Sequence, residues 1–152
     1  MPVEIDLGEK FGKIVIERKK TIRGILSDLV KDKKAIADAV KKCDSMGLVD
    51  RREIVAGDEV ISSPRILVES FKENPYMARM MGYKSVVHSL YVDEAGRLIE
   101  DTRCFPTYRF GNIVIGGETT FLDLKYLPDW ISRAVTPEAL KAKIDSLFYS
   151  KE

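Results

Sequence analysis

The stretch from Thr21 to Arg52, TIRGILSDLVKDKKAIADAVKKCDSMGLVDRR, constrains the fold more than any other part of the chain. Its apolar residues fall at Ile22, Ile25, Leu26 and Leu29, then after a polar break at Ile36, Val40 and Cys43. Each set repeats at three-or-four spacing, which predicts two amphipathic helices of unequal length. Thr21 and Asp32 are placed to cap them, because a short oxygen-bearing side chain accepts from N–H groups that a first helical turn leaves unpaired. The break Val30-Lys31-Asp32 is short enough for a turn. Gly47 follows the second helix, where a left-handed residue costs least, and Leu48-Val49 opens an extended run.

Two such helices cannot bury their own apolar faces and need a third element. Residues 7 to 19, LGEKFGKIVIERK, offer Leu7, Phe11, Ile14 and Val15 at helical spacing. A helix here ends just before Thr21, as that third element should, although Phe11 to Ile16 also reads as a short strand. After Gly47, the runs Leu48 to Ile54 and Val55 to Ile61 flank Gly57-Asp58 and predict a β-hairpin. Three helices followed by a hairpin outline a winged helix. The register from Thr21 through Leu29, Asp32-Lys33, Ile36, Val40 and Cys43 to Met46-Gly47-Leu48-Val49-Asp50-Arg51-Arg52 resembles the winged helix-turn-helix transcriptional regulators of prokaryotes. The resemblance covers about residues 7 to 62.

Charge is concentrated on the same segment. Between Lys10 and Lys42 there are eleven bases and four acids, whereas residues 64 to 152 carry twelve of each and the whole chain only +1. A basic helix pair is the arrangement that phosphate contact requires. The resemblance implies that the helix from Lys33 enters the major groove of double-stranded DNA. Lys33, Lys34, Ala37, Asp38 and Lys41 would then face base edges and phosphates, Thr21 and Arg23 the backbone, and Arg51 and Arg52 phosphates from the wing. Asp38 would accept from a cytosine amino group or pair with Lys34 or Lys42. One such head reads half a site, so a homodimer is expected.

The remaining chain reads as a small α+β unit, dividing the protein into a winged helix-turn-helix domain at 1–63 and a dimerisation or effector-sensing domain at 64–152. Pro64 is expected to open a helix carrying Ile66, Leu67, Ser70 and Phe71. Tyr76 to Gly82 predicts a short helical turn whose methionines, Met77, Met80 and Met81, fill a core or interdomain contact. Ser85 to Val92 and Arg97 to Cys104 form a hairpin about Asp93 to Gly96, and Phe105-Pro106 breaks the pairing. Tyr108 to Ile115 and Thr119 to Leu124 form a second hairpin about Gly116-Gly117-Glu118. Tyr126 to Ala134 is helical, with Trp130 and Ile131 as anchors. Thr136 caps a last helix that buries Leu140, Ile144, Leu147 and Phe148.

Catalytic chemistry is sparsely represented. His88 shares a strand face with Val86, Leu90 and Val92 and reads as a satisfied, half-buried histidine. A Cys104 and His88 nucleophile pair on the two arms of one hairpin lacks a third orienting group. Gly111-Asn112 and Gly116-Gly117 lack the spacing of a diphosphate cradle. Asp93, Glu94, Glu100 and Asp101 read as edge charges. Cys43 and Cys104 read as two reduced thiols, and neither a metal nor a cofactor is called for. Tyr108 and Arg109, with Phe110, are candidates to line a ligand cleft, although packing is the more economical role. Acids in MPVEIDLGEK and the absence of a long apolar run predict a cytoplasmic chain with no membrane partner. The function expected is that of a sequence-specific DNA-binding transcriptional regulator, not an enzyme. The alternative is a protein-interaction module built on the same scaffold, and an effector or protein partner for the second half stays open.

Overall fold

The computed structural model describes residues 2–17, 20–111 and 113–148. Its class is mixed α+β, with helices packed on one face of a six-stranded sheet. The predicted helix pair is present as α1 (Ile22–Lys31) and α2 (Lys33–Ser45). Thr21 Oγ1 accepts from the Gly24 amide at 3.1 Å and Asp32 Oδ1 from the Ala35 amide at 3.0 Å, so both caps form as expected. Asp32 alone separates the helices, and Gly47 takes φ 71° where α2 ends.

Residues before α1 form strands rather than the expected helix: β1 (Pro2–Asp6) pairs antiparallel with β2 (Lys13–Glu17). Gly8 and Gly12 both have positive φ and close the reversal between them, with the Leu7 amide donating to the Gly12 carbonyl at 2.8 Å. A glycine in mid-segment and the β-branched run Ile14-Val15-Ile16 outweigh the apolar spacing that suggested a helix. The third element that α1 and α2 require comes instead from the far end of the chain. Helix α5 (Pro137–Phe148) packs on both, burying Leu140 and Ile144 in their core. The described residues therefore do not show a winged helix-turn-helix.

The hairpin about Gly57-Asp58 exists, as β3 (Ile54–Ala56) and β4 (Glu59–Ile61), but it is no free wing. It joins a sheet ordered β4-β3-β8-β7-β6-β5, pairing β3 parallel to β8 (Ile113–Phe121). Strand β5 (Arg65–Lys72) replaces the helix expected after Pro64. It pairs antiparallel with β6 (Ser85–Asp93), with one extra residue, Val68, between Leu67 and Glu69. That bulge returns Phe71 to the face of Ile66 and Val68, so the apolar spacing of a bulged strand imitates a helix.

Between β5 and β6 lies α3 (Pro75–Met80), as predicted, but only Ala78 of it is buried. The hairpin of β6 with β7 (Leu98–Phe110) also forms as predicted. Pairing with β6 ends at Phe105, while β7 runs on. Phe110 pairs with Ile113, so the chain reverses at Gly111, not at Gly116-Gly117. Gly116 instead lies within β8 against a bulge in β7. A Cβ there would meet the Cys104 and Pro106 carbonyl oxygens at 3.3 Å, and φ is +88°. A 3-10 turn (Leu124–Tyr126) precedes α4 (Asp129–Ala134), whose Trp130 and Ile131 are buried as anticipated. One core joins α1, α2, β5, β6, β7, α4 and α5, and so crosses the boundary expected at residue 63.

Candidate functional site

The nine residues expected to meet DNA are divided by the structure. Lys33, Lys34, Asp38 and Lys41 are exposed on α2 and Ala37 is half-buried. Among the described residues, none of those three lysines forms an ion pair. Thr21 is occupied as a cap, and Arg23 Nη2 donates to the Lys125 carbonyl at 3.5 Å. The two arginines after α2 are held by carboxylates. Arg51 Nη2 lies 2.6 Å from Asp44 Oδ2, and Arg52 grips both oxygens of Asp50, at 3.1 Å and 2.9 Å.

Asp50 belongs to a buried network. Arg65, 0% exposed, donates to the Ser63 and Arg52 carbonyls and lies 3.4 Å from Asp50 Oδ1, while its Nε has no hydrogen-bond partner. Burial favours the neutral form of Asp50, but hydrogen bonds from Arg52 and the charges of Arg65 and Arg52 outweigh it and hold the carboxyl below its ordinary range. Burial, with Asp101 and Asp50 nearby, pushes the Tyr91 hydroxyl up.

His88 is satisfied, as its strand position implied: Nε2 lies 3.0 Å from Glu73 Oε2 and Nδ1 lies 3.1 Å from Thr102 Oγ1. Its ring forms a three-membered cluster with Phe71 and Trp130, all three centroid separations lying between 5.9 and 6.4 Å, and Trp130 Nε1 donates to Glu100 Oε1 at 2.9 Å. Glu73 follows the strand that was expected to be helical, which is why the sequence did not bring it to His88. Cys104 stands opposite Val86, one pair further along the same face, and burial pushes its thiol up. Both ring nitrogens of His88 are engaged, by Glu73 and Thr102 rather than by Cys104. Among the described residues, no three His, Cys, Asp or Glu side chains are grouped to hold a metal ion, and no helix is long and apolar enough to cross a membrane.

The feature that sequence reasoning missed lies at one end of the sheet, where β5 ends, α3 crosses, β6 begins and β7 turns into β8. Met77, Met80 and Met81 are exposed here, Met80 at 67%, and are not the core filler expected. Tyr76, Phe105, Tyr108, Phe110 and Ile115 are exposed at the same end, Phe110 at 64%. Tyr108 is 55% exposed, and the side chain of Arg109 lies outside the described residues. An open cleft does exist beside them, lined by Arg79, Gly82, Tyr83, Lys84 and Pro106. Its walls come from α3, the residues between α3 and β6, and the extension of β7. No family model, curated protein or solved structure matches this chain.

Proposed function

We propose that the chain is a protein-interaction module that docks its partner on this apolar end of the sheet. The observation that carries the reading is the concentration of large exposed apolar side chains there, three of them methionines and four aromatic. A soluble surface rarely gathers so many unless something covers them, and methionine and aromatic residues are the types enriched in interface centres. The test is capture of proteins from nuclease-treated native extract. A folded Met80→Ser, Phe110→Ser variant is expected to lose the partners that the wild type retains, while Lys33→Glu, Lys34→Glu, Lys41→Glu keeps them. The reverse result overturns the reading.

A second reading, a sequence-specific DNA-binding regulator acting as a homodimer, is favoured by Lys33, Lys34 and Lys41, which are exposed on α2. If Lys33, Lys34 and Lys41 each touch one phosphate, duplex affinity falls roughly forty-fold over a fourfold rise in salt. Affinity independent of salt sinks it.

A further inference from the structure

From the edge and the charges beside this apolar end, we infer that the partner presents an extended acidic segment that adds as a strand along β7 beyond Pro106. The inference rests on the interaction reading above and specifies its ligand. Strand β6 begins opposite Phe105, and before it the chain turns away through Gly82 to Lys84 into α3. From Pro106 to Phe110, β7 therefore has β8 on one side and, among the described residues, no strand on the other. The open cleft is walled by Pro106 on one side and by Arg79 and the residues leading into β6, Gly82 to Lys84, on the other. An edge strand presents alternate N–H and C=O groups outward, and a peptide laid in the cleft satisfies them while its alternate side chains meet the apolar surface.

Charge selects the chemistry of that peptide. The segments 72–84 and 104–116 contain four bases, Lys72, Arg79, Lys84 and Arg109, and one acid, Glu73. That acid is bonded to His88 and half-buried, whereas Arg79 and Lys84 are exposed on the cleft walls. A second copy docked through the same face would set cation against cation. An anionic bilayer would meet the cations and the apolar groups but leave the β7 edge unpaired in hydrocarbon. An extended segment alternating apolar residues with Glu or Asp meets all three features.

The test uses the full chain and a fluorescein-labelled ten-residue Val-Glu repeat, followed by anisotropy. A Val-Lys repeat, two Val-Glu repeats N-methylated on alternate residues in opposite phase, and phosphatidylcholine–phosphatidylserine vesicles serve as comparisons. The Val-Glu repeat is expected to bind at least about tenfold more tightly than the Val-Lys repeat, a difference of about 1.4 kcal/mol. One N-methylated form should lose binding and the other keep it. A folded Arg79→Glu, Lys84→Glu variant should reverse the preference. Equal binding of both N-methylated forms, indifference to charge, or binding of vesicles in place of peptide each overturns the inference. If no peptide binds but the Met80→Ser, Phe110→Ser variant still loses its partners, the strand inference fails and the interaction reading stands.

Discussion

Arg65 ties the 50–52 stretch to the residues that lead into β5 from inside the protein: its guanidinium meets the Ser63 carbonyl, the Arg52 carbonyl and the Asp50 carboxylate. Arg65→Ala leaves two acceptors without their donor and opens a cavity, and is expected to cost about 3 kcal/mol in urea unfolding. Arg65→Met refills the volume without the donors and should cost less. The same network makes stability depend on pH. The folded pKa of Asp50 lies below its unfolded value, so its contribution is complete above the ordinary carboxylate range and is lost as pH falls through the folded value. The stability gap between wild type and Asp50→Asn should therefore narrow on acidification, and a gap constant from neutral pH to pH 3 contradicts this account. None of this was legible in the sequence. Arg65 lies beside a proline taken for a helix start, and its burial depends on strands and a loop from separate parts of the chain.

At the scale of elements, what was legible is what local chemistry decides. Thr21, Asp32 and Gly47 name the ends of α1 and α2 because caps and left-handed turns act within a few residues. Asp32 serves both helices, ending one and starting the next, so Asp32→Ala should cost about 1 kcal/mol and Asp32→Asn much less, checked by urea titration followed by helix circular dichroism. The misread elements share a different cause. The bulge at Val68 gave β5 helical spacing, and the larger bulge between Arg103 and Tyr108 moved the β7–β8 reversal from Gly116 to Gly111. A bulge shifts every later side chain to the other face, and it is set by the partner strand rather than by the segment itself.

Across the whole molecule, the helices that looked like a separate head share one core with α5 and the sheet. Unfolding is accordingly expected as a single transition, with Trp130 fluorescence and helix dichroism giving the same urea midpoint. A fragment of residues 64–152 should not fold cooperatively, since it lacks Leu26 and Ile36, both fully buried. Two separated midpoints would contradict a shared core. That same packing assigns α1, α2, α4 and α5 to one sheet face and leaves the methionines and aromatics at the sheet's end uncovered. Sequence alone could not reveal this, because an apolar residue reads as core until a fold leaves it outside. The most direct measurement of whether that end is a docking surface places a photo-crosslinking phenylalanine at position 110 and, in a second protein, at position 34. Irradiated in nuclease-treated native extract, the protein labelled at 110 should form discrete adducts with other proteins and the one labelled at 34 should not. Adducts only from position 34, or none from either, would contradict the interaction reading.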